Sequence, residues 1–257
     1  MILALKLFLA PLFIGMVSLA GRRWGPVISG LLIGLPLTSG PTSIVLALQY
    51  GTHFAAQAAV GGLVGQVSMC IFCLTYSLAA QRTQWPGSAA AGILLFLAAT
   101  ALWNSLTWTL LPALGALLAA IGLVAWRLPA PAHSAAAFKP PRWDLPARMI
   151  IATTVVVLLT AFAAMLGPQL SGLLSTFPVF GVVLAAFTHH QQGAAAATRL
   201  LRGVVVGSLA FGAFFLVVGL GVTVLPLLAT YLLACAAALA CSGLAYYLTR
   251  GKEATTS

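Results

Sequence analysis

Residues 25–32 read GPVISGLL, and residues 167–174 read GPQLSGLL, the same pattern 142 positions later (167 − 25). Seven of the twelve residues at 25–36 are identical to their counterparts at 167–178. One of the seven is Pro36 with Pro178, and the same offset, without a gap, matches further pairs: Gln49 with Gln191, Gly51 with Gly193, Gly61 with Gly203 and Gly65 with Gly207. Because Gly, Pro and Ser recur, a composition rich in Leu and Ala does not account for the matches. The sequence therefore predicts two copies of one unit.

The amino-acid composition indicates whether the chain is surrounded by water or by lipid. Of the 257 residues, 61% are hydrophobic and only 5% are charged, and mean hydropathy is +1.09. A water-soluble domain of this length cannot cover its surface with so few charges. We expect a lipid bilayer as the partner, and we expect no nucleic-acid binding despite the net charge of +10, because the basic residues lie between apolar runs.

The apolar runs predict the helices. A spanning helix needs about 20 apolar residues, and the nine candidate spans are about 2–20, 26–49, 54–80, 87–103, 106–126, 149–166, 168–188, 200–220 and 225–248. The first is read as a retained span, since Lys6 lies inside the run. The fold class is all-α: a polytopic transmembrane bundle with two inverted-topology four-helix repeats, 1–104 and 149–257, the second ending in a short cytoplasmic tail. A connector helix and a basic loop at 105–148 join them.

Charge placement predicts the orientation. We place the protein in the inner (plasma) membrane and the loop at 127–148 on its cytoplasmic side. The N-terminus then lies outside and the C-terminus inside. Eleven of the twelve basic residues then lie on the cytoplasmic side, and Lys6 lies outside: Arg22, Arg23, Arg82, Arg127, Lys139, Arg142, Arg148, Arg199, Arg202, Arg250 and Lys252. The fifth span reverses the second copy, which predicts inverted repeats, an architecture that recurs in transporters.

Interrupted helices are the first candidate site. Pro36 removes a backbone hydrogen bond in the second span and favours a break, and transporters place substrate at such breaks near the bilayer midplane. The candidate binding residues are Pro36, Thr38, Ser39, Gly40 and Thr42 in the second span, and Phe177, Pro178 and Phe180 in the seventh. A tolerated kink with close glycine packing is the alternative.

Gln66 and Ser208 complete the candidate binding site. Gln66 falls near the middle of the third span, and the offset of 142 matches it with Ser208 in the eighth. A carboxamide at that depth faces the bundle interior and has a partner. An interhelical packing bond and a substrate contact are equally compatible with this position.

The remaining polar groups limit the chemistry. Asp144 and Glu253 are the only acids, and both fall in predicted cytoplasmic segments. No carboxylate is thus expected in the membrane for a proton relay, a sodium site or a cation counter-charge. His189 and His190 are interpreted as solvated interfacial residues or as proton carriers. Cys70 and Cys73 are interpreted as small buried residues, with a soft-metal site beside Met69 as the alternative.

The second copy resembles a known family. Residues 171–173 (SGL), residues 177–180 (FPVF) and Gly193 are similar to the pattern of the small GlpM-like inner-membrane proteins, which are about one such repeat long. In the first copy, residues 35–38 (LPLT) replace the FPVF portion. The resemblance implies a fused, two-copy membrane protein, and it implies no particular substrate.

The sequence thus favours a transporter or permease for a small neutral or anionic solute, without a cofactor or metal. The site would lie at the interface of the two repeats, and a homo-oligomer is compatible with the sequence. A non-transporting membrane scaffold or assembly factor is the alternative. A membrane-embedded enzyme is not expected, because no motif for a catalytic site is present; it would need turnover that depends on His189, His190 or Cys70.

Overall fold

The structure is a computed structural model that describes residues 2–37, 39–128, 141, 143–175 and 177–254, with side chains for 11–37, 39–128, 141, 143–159, 177–245 and 247. The predicted all-α class is confirmed for the described residues, which contain no strand. The helices in this part of the chain are α1 Ile2–Trp24, α2 Pro26–Gly34, α3 Ser39–Tyr50, α4 Thr52–Ala79, α5 Trp85–Asn104, α6 Leu110–Arg127, α7 Asp144–Ser175, α8 Val179–Gln192, α9 Ala194–Gly221 and α10 Leu227–Ala254.

Six segments of the described chain are long and apolar enough to cross a bilayer. They are Pro26–Tyr50 (α2 with α3), Thr52–Ala79 (α4), Trp85–Asn104 (α5), Leu110–Arg127 (α6), Ala194–Gly221 (α9) and Leu227–Ala245 in α10. Length and hydropathy of this kind are typical of transmembrane helices. The fold is therefore that of a membrane protein.

The helix boundaries recur at the repeat offset. Helices α4 and α9 are both 28 residues long, and their first residues (194 − 52) and last residues (221 − 79) are separated by that offset. The ends of α3 and α8 (192 − 50) and the starts of α5 and α10 (227 − 85) are separated by it as well. Gly51 (φ 90°, ψ 168°) and Gly193 (φ 84°, ψ 173°) join the preceding helices to α4 and α9 with the same positive-φ backbone, which favours glycine.

The two Gly-Pro sequences behave differently. Gly25 has φ 92° and ends α1, so that Pro26 begins a new helix. The prediction that the chain also divides at Gly167 and Pro168, between spans 149–166 and 168–188, is wrong, because α7 continues through both to Ser175. A proline removes only one helical hydrogen bond, and membrane helices tolerate this where neighbouring groups cover the freed carbonyl.

Helix α2 lies directly on α9. A Cβ added to Gly34 would lie 2.5 Å from Gly207, and a Cβ added to Gly207 would lie 2.6 Å from the carbonyl oxygen of Leu31. Gly30 and Gly203 approach each other in the same way, one helical turn away. Small residues spaced four apart on both helices let their backbones touch, which is the packing mode of many membrane helix pairs.

Helices α4 and α9 pack in opposite directions. A Cβ added to Gly62 would lie 3.7 Å from the rings of Phe211 and Phe215, whereas Gln66, one turn further along α4, bonds to Ser208, one turn earlier in α9. Advancing along α4 therefore means moving back along α9. This antiparallel pair places its midpoint, and the Gln66 side chain, inside the bundle.

Candidate functional site

The first helix break separates α2 from α3. The backbone leaves the helical path at Leu35, Pro36 and Leu37, and Thr38 lies outside the described residues. The amide of Gly40 then donates to the carbonyl oxygen of Pro36 (2.7 Å). Pro36 is buried, so the break that this proline favours is present and is covered by protein.

Gly40 allows a close approach at the same break. A Cβ on Gly40 would lie 3.3 Å from the ring of Phe214 in α9. Ser39 and Thr42 are half-buried at the start of α3. Ser43 forms a buried hydrogen bond with the hydroxyl of Tyr231 in α10 (2.8 Å).

The second break separates α7 from α8. Pro178 is buried and directly precedes α8. The half-buried ring of Phe177 meets Phe96 of α5 edge-on, with centroids 6.0 Å apart, and Phe180 meets Phe13 of α1 at 4.8 Å. The second break is therefore lined by aromatic rings, in contrast to the hydroxyl groups beside the first.

Gln66 and Ser208 meet between the two central helices. The amide Nε2 of Gln66 donates to Oγ of Ser208 over 2.8 Å, and that hydroxyl donates to the carbonyl oxygen of Val204 (2.9 Å). The thiol of Cys70 interacts with the same hydroxyl. Ser208 is fully buried, and Gln66 is half-buried. The carboxamide thus has an interior partner, and its own carbonyl oxygen can accept a further hydrogen bond.

The polar pair lies beside the first break, and the second break contacts the same helix α4 at Met69. A Cβ added to Gly34, the last residue of α2, would lie 2.9 Å from the backbone nitrogen of Ser208. On the other side, a Cβ added to Gly181 in α8 would lie 2.7 Å from the methyl group of Met69, which precedes Cys70. The structure therefore brings Ser208 next to α2 at the first break, and it packs α8 at the second break on Met69, three residues from Gln66 in α4. It describes no direct contact between Pro36 and Pro178.

Phe72 and Phe214 are site residues that sequence reasoning missed. They occupy matching positions of the two copies (214 − 72), Phe214 packs on Gly40, and a Cβ on Gly181 would lie 3.7 Å from the ring of Phe72. Each break is thus flanked by a phenylalanine at the matching position of α4 or α9. Extending the repeat comparison to aromatic residues could have found this pair.

A charged network joins α1, α7 and α8. Asp144 is 1% exposed and accepts hydrogen bonds from Arg22 (2.9 Å), Arg148 (2.8 Å) and Gln191 (2.6 Å). Burial raises the pKa of Asp144, but these bonds outweigh it and hold the pKa below its usual value. Sequence reasoning placed Asp144 in a polar segment and missed its burial. The signal was the spacing of Asp144 and Arg148, four residues apart on one helix face.

The histidines occupy different environments. Nδ1 of His189 lies 3.3 Å from the hydroxyl of the buried Tyr76, and burial lowers the pKa of His189. His190 is exposed, and its ring lies 6.5 Å from that of Trp85. Of the two, His189 is thus the one packed against the bundle.

The cysteines are free thiols, and Cys70 and Cys73 are both fully buried. Within the part of the chain that the structure describes, no three His, Cys, Asp or Glu side chains form a group that could hold a metal ion. A soft-metal site at these thiols would thus have to be built from two sulfurs and Met69.

Fold and site together define a polytopic helical membrane protein with two helix breaks and a polar pair, Gln66 and Ser208, between α4 and α9. Comparison of the chain with protein-family models, with curated proteins and with solved structures gives no match. The similarity to GlpM-like proteins therefore stays a prediction.

Proposed function

We propose that this protein is a transporter for a small neutral or anionic solute, with its site at Gln66, Ser208 and the two helix breaks. The observation that carries the proposal is the position of this polar pair beside the first break, on a helix, α4, that the second break also contacts at Met69. Interrupted backbone in a membrane is retained where it is covered by protein or lines a watery cavity. Transporters use such interruptions to bind substrate.

We further propose that residues 1–104 and 149–257 are inverted repeats joined by 105–148. The recurring boundaries of α3–α5 and α8–α10 support this, and so does the antiparallel packing of the matching helices α4 and α9. Helices α1 and α7 are also antiparallel: Gly15 lies near Met149, and Arg22 lies near Asp144. Matching helices that touch in opposite directions are expected on an axis within the membrane plane.

The inverted arrangement gives a mechanism for alternating access. When two repeats exchange their conformations, a site on the axis between them opens first to one side and then to the other. Helices α3 and α8 begin at the breaks, so they can tilt without bending α4 and α9. The α2–α9 glycine contact links a helix of each repeat and is the fixed part of this motion.

The substrate class follows from the groups near the site. A carboxamide and a hydroxyl both donate and accept hydrogen bonds, which suits a polar solute. The first turns of α3 and α8 contain no acidic residue, and helix N-termini favour negative charge. Helices α4 and α9, which carry Gln66 and Ser208, contain no Asp or Glu that could balance the charge of a cation. Neutral and anionic solutes therefore fit this site, and cations do not.

The proposed orientation in the inner membrane places the N-terminus outside and the C-terminus on the cytoplasmic side. Trp is enriched at both membrane interfaces, so it marks helix ends that lie at an interface, and neighbouring arginines assign that interface to the cytoplasm. The exposed Trp24, Trp85, Trp126 and Trp143 all lie at helix ends assigned to the cytoplasmic side. Arg23 lies over the Trp24 ring at 5.5 Å, and Arg127 lies over Trp126 at 4.7 Å.

Flux through the purified protein in liposomes tests the proposal. A panel of labelled neutral and anionic metabolites should include one that enters only in the presence of protein. Gln66→Ala should abolish that flux, because it removes both hydrogen-bonding groups of the carboxamide. Gln57→Ala is the matched control, since Gln57 is an exposed residue of the same helix, and it should transport normally.

The absence of protein-dependent flux for every solute would contradict the transport proposal, and so would unchanged flux in Gln66→Ala. Stable co-purification of one membrane protein together with absent flux would favour the scaffold alternative. In that case the bond between Gln66 and Ser208 would serve only to pack α4 against α9.

A further inference from the structure

Asp144 ties three helices together at one end of the bundle. Its carboxylate is bonded to Arg22 of α1, to Arg148 of its own helix α7, and to Gln191 near the end of α8. The side-chain oxygen Oε1 of Gln191 accepts a hydrogen bond from Arg148 as well (3.2 Å). Moving α1 or α8 away from α7 at this end therefore breaks bonds to a buried charge.

Burial makes those bonds hard to give up. Asp144 is 1% exposed and Arg148 is 6% exposed, and the guanidinium of Arg148 lies over the ring of Phe187 at 5.1 Å. A buried carboxylate that loses a partner is left uncompensated, and this is strongly unfavourable. Arg22 is more exposed, with 31% of its side chain accessible, so it is the partner that water can replace.

The opposite end of the bundle cannot form the same network. The positions that match Asp144, Arg148 and Gln191 in the first copy are Ile2, Lys6 and Gln49. Asp144 and Glu253 are the only acidic residues of the chain, so none of the three matching positions in the first copy carries a carboxylate. If the two halves are inverted repeats, the matching positions on the other side of the membrane lack the acidic member of this network.

We propose that the Asp144 network is a latch that holds the α1–α7–α8 end closed and makes the resting transporter open toward the other side. The proposal rests on the transport function and the inverted repeats proposed above. Opening toward the cytoplasm then requires Arg22 and Gln191 to separate from Asp144. The latch thus sets the direction from which substrate first reaches Gln66 and Ser208.

Cysteine accessibility measures the latch without a known substrate. Ser18 (5% exposed) lies one turn inward from Arg22, and Thr188 (3% exposed) lies one turn inward from Gln191. Ser18→Cys and Thr188→Cys are introduced separately, with Cys235 and Cys241 replaced by Ala. A membrane-impermeant maleimide is applied to inside-out vesicles, and the buried Cys70 and Cys73 provide the measured background.

Asp144→Asn should raise the labelling rate at both reporter positions by about tenfold or more, which corresponds to roughly 1.4 kcal/mol in the closed-to-open equilibrium. Glu253→Gln is the matched control, because it removes the other acidic charge of the chain. It should leave the rate unchanged. A cysteine at the exposed His53, at the opposite end of the bundle, is labelled in right-side-out vesicles and should also keep its rate in Asp144→Asn.

Unchanged labelling in Asp144→Asn at both positions would overturn the latch. Size-exclusion chromatography checks that the variant is folded. If Asp144→Asn is not folded, Arg22→Gln takes its place, because it removes one cation and keeps the pair of Asp144 with Arg148. Faster labelling of Arg22→Gln supports the latch, and an unchanged labelling rate overturns it. If the wild-type protein transports no solute and Asp144→Asn is still labelled faster, the transport function is contradicted, whereas the closure of this end by Asp144 is supported.

Discussion

Gln66 and Ser208, whose side chains meet at 2.8 Å, are separated by the repeat offset of 142 residues. Residues at matching positions of two copies touch each other only when they lie close to the axis that relates the copies. The bond therefore marks the place where an inverted repeat would have its centre. The energetic coupling of this pair therefore measures how strongly the contact between α4 and α9 stabilises the protein.

Removing one member of this pair should destabilise the protein. In Ser208→Ala the amide of Gln66 loses its partner, and a buried polar group without a partner costs about 1–3 kcal/mol. The double variant Gln66→Leu/Ser208→Ala removes both polar groups. Its loss of unfolding free energy should therefore be smaller than the sum of the losses in the two single variants. Thermal unfolding in detergent of both single variants and the double variant measures this coupling. Additive costs would show that the bond contributes nothing.

The glycine contact between α2 and α9 predicts a position-specific effect of a methyl group. Gly34→Ala places a Cβ 2.5 Å from Gly207, so the helices must separate and the melting temperature should fall. Gly122→Ala in α6 is the matched control, because a Cβ there meets no atom within 4 Å. Helix propensity favours that change by about 1 kcal/mol. Equal melting temperatures for both variants would contradict the close contact.

The Asp144 network predicts a pH-dependent contribution to stability. Because the pKa of Asp144 is lowered in the folded protein, its contribution is present above the unfolded value of about 3.9. That contribution is lost as the pH falls through the lower folded pKa. At neutral pH, Asp144→Asn should cost about 3–5 kcal/mol, as expected for a broken buried ion pair.

Melting temperatures of the wild type and of Asp144→Asn, measured between neutral and strongly acidic pH, check this prediction. The difference should be constant at neutral pH and should shrink below about pH 3.9. The titration of His189 affects both proteins and cancels in the difference. A difference that does not change with pH would mean that the carboxylate is not the group that stabilises this end.

The helix breaks predict a loss of transport without loss of fold. Pro36→Ala and Pro178→Ala restore a backbone N–H, which favours a continuous helix, so liposome flux should fall strongly while chromatography shows folded protein. Pro112→Ala is the control, since Pro112 is exposed in the first turn of α6, where proline is tolerated. Normal flux in both break variants would indicate that the prolines only kink the helices.

Several elements of the fold follow from sequence pattern alone. Runs of apolar residues predict most helices, because a bilayer imposes both their length and their composition. The break at Pro36 follows from the missing N–H, and the shared turn geometry of Gly51 and Gly193 follows from the repeat. The repeat offset also pairs Gln66 with Ser208 from sequence alone.

Other features depend on tertiary contacts that a local pattern does not contain. Pro168 sits inside a helix although the identical Gly-Pro sequence at Gly25 ends one, so local sequence does not decide that boundary. The burial of Asp144 requires Arg22 and Gln191, which lie 122 and 47 residues away. The roles of Phe72 and Phe214 arise from glycines on other helices, and an apolar run does not distinguish these rings from lipid-facing ones.

The most direct test compares the sidedness of two matching turns. His53, just after Gly51, and Ala195, just after Gly193, occupy matching positions of the two copies (195 − 53), and each is replaced by Cys in protein that lacks Cys235 and Cys241. An impermeant maleimide should label His53→Cys only from outside and Ala195→Cys only from the cytoplasmic side. Labelling of both positions from the same side would contradict the inverted repeat, and the transport mechanism with it.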